Sequence, residues 1–446
     1  MTRLLLMVFA LLVSGCATRG TIDIDCPRFD TAVNGADPFR TPLPPTALER
    51  DILGLPGEPA QQFASDPIVE RQADRLAQVL MSARGPGDSV PEINVLLLSG
   101  GGQWGAFGAG FMNRLAERGE FPEFRFVTGV STGGLQSLFV SAGLLAGQSS
   151  DQLPYRERML RQYSPQRESQ IVNRNPQLLA IVTGSMAGLR PLRRKIERAL
   201  CPNFETTGQC SMIDHIANSP MDTLIGFIDA EDGRFYYADV RRIAAAPDLS
   251  PLQRQQCITG AALASAAMPA FFQQVRINRR TYYDGGVRQS VFADFTRMVA
   301  ERAVQQAHGQ LNLAAPPLSP QQIENLLTLY ALRNGPTSLR SDEGANNTTN
   351  VIDAALRAEA IVVNQLEVGS IAALRLQHPR RDLFFRSADG WEAFPFHDEA
   401  LGTRTCGQRK DRGVMFDPDF MQCIMAYGDH IARGAEPWRT LRPISR

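Results

Sequence analysis

Three stretches of this chain hold residues whose types and spacing could do chemistry: a serine between glycines, a glycine run, and a late Asp-Gly-Gly. Gly129-Val130-Ser131-Thr132-Gly133 follows a short apolar run, Phe124 to Val127, and precedes an apolar segment rich in small residues. Strand, sharp turn with serine at its apex, then helix is the context that a G-x-S-x-G nucleophile elbow requires. A Cβ at Gly129 or Gly133 would crowd the neighbouring strand and helix, so such a turn needs glycine there. Ser131 then faces the positive end of the following helix, which favours negative charge developing nearby. An ordinary glycine-rich strand-to-helix turn has the same pattern, so the other two stretches decide.

Asn94 to Leu98 reads as a buried strand that runs into Ser99-Gly100-Gly101-Gly102-Gln103-Trp104-Gly105, with a helix from about Ala106 to Arg118 beyond it. Glycines there bring bare N–H groups to a helix N-terminus, a ready site for an anion. Gly100, Gly102 and Gly105 also satisfy the dinucleotide pattern G-x-G-x-x-G. A nucleotide-binding half has no use for a serine elbow one strand–helix unit later, and no cofactor is expected. Ester hydrolysis through an acyl-enzyme needs a nucleophile, a base and oxyanion donors. Ser131 is the nucleophile candidate, and the loop Gly100 to Gly102 supplies the donors.

The base is the open position. Asp284 ends a short strand, and Gly285 and Gly286 after it let its backbone approach another loop closely. It could act directly on the serine. A triad would need a histidine instead, and His215, His308, His378, His397 and His430 fall mostly in polar helical or loop contexts. Only His397 comes late in the chain, where a triad of the Ser…Asp…His order would want it. No Cys-x-x-Cys or His-rich cluster suggests a metal site, so none is expected.

The elements that must position these residues follow from the apolar pattern. A helix is expected from about Asp66 to Arg84, and residues 151–200 read as helical and polar, with a basic stretch at Arg190 to Arg198. A solvated helix face is the ordinary reading of that stretch; contact with anionic headgroups is the other. Thr223 to Ile228 and Arg234 to Ala238 read as a hairpin, which makes Asp232 a turn residue. Gln256 to Met268 is a helix stopped by Pro269, Phe292 to His308 is helical, and Leu326 to Leu332 reads as a strand. Val351 to Gln377 is a long helix, Leu383 begins a strand, and Phe416 to Arg433 is the last helix.

Of 446 residues, 43% are hydrophobic and the formal net charge is +0, which describes a globular chain and speaks against a nucleic-acid partner. Arg3 followed by Leu4 to Val13 reads as a signal peptide over residues 1–15, too short and wrongly flanked to span a bilayer. It ends Val13-Ser14-Gly15-Cys16, which resembles a bacterial lipobox, with the incidental cysteine of a secretory signal as the alternative. The resemblance implies cleavage before Cys16, acylation of Cys16 and a membrane partner through that anchor. Ala17 after it implies sorting to the outer membrane of the bacterial cell envelope. Residues 17–65, with Pro38, Pro42, Pro44, Pro45, Pro56 and Pro59, read as a tether or a loop wrapped on the surface. Cys26, Cys201, Cys210, Cys257, Cys406 and Cys423 remain, an even number that permits disulfides; Cys201/Cys210 and Cys406/Cys423 are the closest pairs in sequence.

Taken in order, the three stretches resemble the patatin-like phospholipase family. The matching residues are Gly100-Gly101-Gly102-Gln103-Trp104-Gly105, Gly129-Val130-Ser131-Thr132-Gly133 and Asp284-Gly285-Gly286, with the lead-in Ala264 to Pro269. The resemblance implies a three-layer α/β/α sandwich around a mainly parallel sheet over residues 93–335. Residues 16–92 would be tether and N-terminal helix, and 336–446 a C-terminal helical extension. It also implies a Ser131–Asp284 dyad, oxyanion donors on the loop Gly100 to Gly102, and a lipid or acyl-ester substrate. The chain departs from the family at Trp104, where an arginine or lysine is usual, and that puts phospholipid headgroup preference in doubt. A lipid-anchored binding or scaffold protein on a catalytically dead hydrolase fold is the competing reading.

Overall fold

The computed structural model describes residues 20–45, 47–54, 67–82, 92–148, 153–175, 185–311, 319, 322, 325–339, 351–377, 383–398, 402–409 and 414–442. Its centre is an 11-stranded sheet. In chain order the strands are β1 (Ile22–Ile24), β2 (Arg40–Pro42), β3 (Ile93–Leu98), β4 (Phe124–Val130), β5 (Asp222–Asp229), β6 (Phe235–Asp239), β7 (Val275–Ile277), β8 (Arg280–Asp284), β9 (Leu327–Leu332), β10 (Leu383–Arg386) and β11 (Arg439–Leu441). They lie in the order β1-β7-β8-β5-β4-β3-β9-β10-β11, with β2 and β6 attached beside β5. The middle of the sheet, β5-β4-β3-β9-β10, is parallel throughout; β8, β7 and β11 are added by antiparallel pairs, and β1 closes one edge parallel to β7.

The apolar alternation of β3 explains the layers. Ile93, Val95 and Leu97 point to one face, where α1 (Pro67–Ser82) packs, whereas Leu96 and Leu98 point to the other. The second face is covered by α2 (Gly105–Glu117), α3 (Thr132–Ser141), α4 (Tyr155–Gln162), α5 (Arg190–Leu200) and α6 (Pro251–Ser265). The first face also carries α7 (Asp294–Leu311) and the end of α8 (Val351–Gln377). Near-continuous burial of Ile93–Leu98, with alternate side chains meeting opposite helical layers, is what a parallel sheet covered on two faces demands. The result is a three-layer α/β/α arrangement. Among the described residues no helix is long and apolar enough to cross a membrane.

Two stretches differ from their sequence reading. The tether or surface loop expected over residues 17–65 gives way, from Gly20, to β1 and β2, which join the main sheet. Phe29 and Phe39 are fully buried, and Cys26 is joined to Cys257 of α6. Three-residue strands carry too little period for sequence to register. Residues 336–446 hold helices, including α9 (Pro418–Ala432) against α2, but β10 and β11 also extend the sheet. The Cys201–Cys210 and Cys406–Cys423 pairs, closest in sequence, are both disulfides.

Candidate active site

Ser131 sits between β4 and α3 with φ 54° and ψ −123°, the strained backbone expected of an elbow. The approach is close enough to exclude any side chain: a Cβ on Gly133 would lie 2.2 Å from the Leu98 carbonyl oxygen. Behind the elbow, the Ser131 N–H donates to Ser265 Oγ (2.8 Å), whose hydroxyl donates in turn to the Gly226 carbonyl on β5 (2.6 Å). Ser265 therefore ties α6 to the turn and to the adjacent strand. A lone serine in a run of alanines gives no sign of that in sequence.

Asp284 ends β8 opposite Phe227 of β5, two strands from the elbow, and is 1% exposed. Its N–H donates to the Ala267 carbonyl (3.1 Å), and its Oδ1 accepts the Gly286 N–H (2.8 Å). Gly285 passes against Val130 and the Gly226 carbonyl, where a Cβ would meet both at about 3 Å. Asp284 and Ser131 thereby line one cavity, together with Gly100, Gly101 and Gly102.

The glycine loop is held from beneath. The Gly100 N–H donates to Ser290 Oγ (3.3 Å), so that group serves as an anchor. Gly101, at φ 143°, presses on Asn334 after β9. Asn334 gives its N–H to Ser99 Oγ (3.0 Å) and its side-chain amide to the Ser99 carbonyl (2.8 Å). Asn334 and Gln136 also exchange side-chain amide bonds at 2.8 and 3.1 Å, and Gln136 donates to the Gly105 carbonyl (2.8 Å). Every polar group of this buried set has a partner, which is the condition under which such a network rigidifies what it holds. Ser290, Asn334 and Gln136 stand alone in sequence, with no spacing that marks them.

Two cavities meet at Ser131. One is narrow, about 90 Å³, and walled mainly by apolar side chains such as Leu135, Leu138, Phe139, Leu192, Ile196 and Met421. The other is wider, about 450 Å³, and carries Asp284, Arg333, Asn334 and Glu367 besides the glycine loop. Arg333 pairs with Glu367 at 3.0 Å, and burial raises the Glu367 carboxyl above the ordinary glutamate range despite that partner. An apolar slot and a polar vestibule opening on one serine suit a substrate with an acyl chain and a polar remainder.

Lys195 lies in the wall of the narrow cavity and donates from Nζ to the Gln162 carbonyl (3.0 Å). Burial lowers its pKa from 10.5 to about 8. Between those values the unfolded chain holds a proton that the folded chain has released, so stability rises with pH across the window. Urea midpoints should therefore climb from pH 8 towards pH 10.5, and Lys195→Met should remove the climb. An identical slope in the variant would show that other groups set it.

Trp104 belongs to the short turn Gly102–Trp104 and stands edge-on to Trp391 and to Phe420, each with its ring centroid at 4.9 Å. It also borders the wide cavity. Each such aromatic pair contributes roughly 0.5–1.5 kcal/mol. Trp104→Arg is accordingly expected to lower the melting temperature and to depress turnover of neutral and anionic esters alike. A changed preference at an unchanged melting temperature would instead make the ring a wall for the acyl chain.

The histidines stand elsewhere. His215 bonds Tyr155 through Nδ1 (2.9 Å), and His397 bonds Thr403 (3.0 Å) on an exposed hairpin. Among the described residues no histidine lines either cavity at Ser131, and His378 lies outside them. Asp232 is a turn residue in the β5–β6 hairpin, where it bonds the Tyr236 hydroxyl (2.7 Å). Cys16 also lies outside the described residues.

No curated protein matches the chain. Among solved structures it is similar to VipD from Legionella pneumophila, at 11% identity over 79% of this chain and 69% of that one, with a TM-score of 0.32. It is also similar to human GIVD cytosolic phospholipase A2, at 12% identity over 84% of this chain and 62% of that one, with a TM-score of 0.30. The patatin-like phospholipase family matches residues 96–296, a span that takes in the glycine loop, the elbow and Asp284-Gly285-Gly286. The chain thus carries a patatin-like phospholipase domain over residues 96–296.

Proposed function

We propose that the chain is a serine lipid acyl hydrolase of the phospholipase A or lysophospholipase type, working through a Ser131–Asp284 dyad at the bacterial envelope. One observation carries the reading: a serine on a strained turn shares a cavity with a buried aspartate and a glycine loop, and an apolar cavity opens at the same serine. In the first step the Asp284 carboxylate takes the Ser131 hydroxyl proton as Oγ attacks the acyl carbonyl carbon. The N–H groups of Gly101 and Gly102 receive the oxyanion, and Asp284 returns the proton to the departing alcohol. Water, deprotonated by the same carboxylate, then cleaves the acyl-serine ester and releases the fatty acid. The network under Asn334 holds the loop before substrate arrives, so little of the oxyanion's stabilisation is spent on reorganisation.

The test is a panel of phospholipid, lysophospholipid and neutral acyl esters, with Ser131→Ala beside the unaltered chain. Hydrolysis of at least one ester that vanishes with Ser131→Ala supports the assignment. If no ester is cut, or cutting survives the substitution, the chain is a binding protein on a hydrolase fold. The anchor is a separate part of the reading and rests on Val13-Ser14-Gly15-Cys16. Cys16→Ser is expected to leave the precursor unlipidated and to let high salt release the protein from the outer-membrane fraction. Membrane association that persists in high salt after the change would assign it to another surface.

A further inference from the structure

The helix that walls the narrow cavity has a second face. Leu192, Lys195, Ile196, Ala199 and Leu200 of α5 line the cavity, and on the far side Arg190, Arg194 and Arg198 are exposed at four-residue spacing. That spacing puts the guanidinium groups in one stripe about 12 Å long. Among the described residues, none of these arginines is held by an ion pair or a hydrogen bond, unlike Arg193, which pairs with Glu197 at 2.8 Å. The acidic groups near the stripe are engaged: Glu197 by Arg193, and Asp23 by Thr21 (2.9 Å) and Arg276 (3.6 Å).

The chain's start lies beside the same face. Thr21, Ile22 and Asp23 border a surface hollow with Arg190, Arg193 and Arg194, and Arg193 donates to the Asp23 carbonyl (3.4 Å). Cys16 is only four residues before Gly20, so a lipid on it is at most about 14 Å of extended chain away. Any bilayer holding that lipid is within reach of the stripe.

We propose that the Arg190–Arg194–Arg198 face of α5 is a docking surface for an anionic phospholipid bilayer, with headgroup phosphates as its ligands. Arginine suits the role, because its planar fork of donors matches phosphate oxygens two at a time. The surface deepens the reading of a membrane-bound acyl hydrolase and rests on it. Docking there would lay α5 flat on the headgroups, so that the acyl cavity lies one helix diameter, roughly 10 Å, from the lipid layer.

The test uses the mature-length chain, residues 16–446 with Cys16→Ser, which keeps every described element but no lipid. It is floated with vesicles of phosphatidylcholine alone or with one third phosphatidylglycerol, and turnover of a soluble short-chain ester is measured in the same samples. Binding to the anionic vesicles should exceed binding to the neutral ones at least tenfold at low salt, and should fall as salt screens the surface. R190E/R194E/R198E should abolish that difference while leaving soluble-ester turnover unchanged. Equal binding to both vesicle types, or a charge-reversed variant that keeps its preference, overturns the surface. So does a variant that loses preference and soluble-ester turnover together, since the arginines would then serve the fold. Ser131→Ala goes through the same flotation, so a chain without any esterase activity removes the hydrolase reading and leaves this test standing.

Discussion

Asp284→Asn should reduce ester turnover by at least about a thousandfold, close to the effect of Ser131→Ala, and combining the two should cost little more. Residues that act as one unit show losses that do not add. The substitution keeps the fold because the Asn side chain retains an oxygen where Asp284 Oδ1 accepts the Gly286 N–H. What it removes is the basic carboxylate, and among the described residues no histidine lines the cavity to replace it. His397→Ala, on its exposed hairpin, should change nothing. Measurement of kcat, KM and melting temperature for all four chains decides the matter. Near-normal turnover by Asp284→Asn together with loss by His397→Ala would replace the dyad with a triad.

Gly101→Ala is expected to lower kcat by roughly a hundredfold to a thousandfold, the usual effect of losing an oxyanion donor. A Cβ at this position would stand 1.8 Å from the Asn334 carbonyl oxygen, on a backbone with φ +143°. Asn334 cannot retreat without breaking its bonds to Ser99 and Gln136, so the loop has to move. KM should change less than kcat, because the substrate's bulk is held by the two cavities. Gly102→Ala is the internal contrast. Nothing lies within 4 Å of its would-be Cβ, and at φ +54° the cost is roughly 1–2 kcal/mol of backbone strain. If Gly101→Ala turned over normally, the loop would not be the oxyanion donor.

The chemistry-bearing residues were the legible part of the sequence because each sits in a strand–turn–helix context with glycines at fixed offsets. The same pattern located β3, β9 and α8 almost to the residue, since long apolar periods leave little choice, whereas β4 runs three residues beyond the apolar run, to Val130. The supports stayed hidden. Ser265, Ser290, Asn334 and Gln136 act through single hydrogen bonds between segments far apart in the chain, and no local spacing encodes such a bond. Trp104 is an intermediate case. Its departure from the family was visible, but the partners that explain it, Trp391 and Phe420, come about 300 residues later. β1 and β2 were missed for a third reason: they are held by partners at the sheet edge rather than by any strength of their own.

The bond between Cys26 and Cys257 bears on how the molecule carries mechanical load. A pull on the chain's start acts first on β1, three residues paired only with β7, which would peel open under modest tension. Two residues further on, the covalent link hands the load to α6. Ser265, which holds the elbow's N–H, lies on the same helix about 12 Å beyond the link. Tension at the start of the chain therefore ends in a buried helix that already contacts the sheet, short of the turn that presents Ser131. An anchor on Cys16, as proposed above, would therefore load α6 first and the elbow only through Ser265.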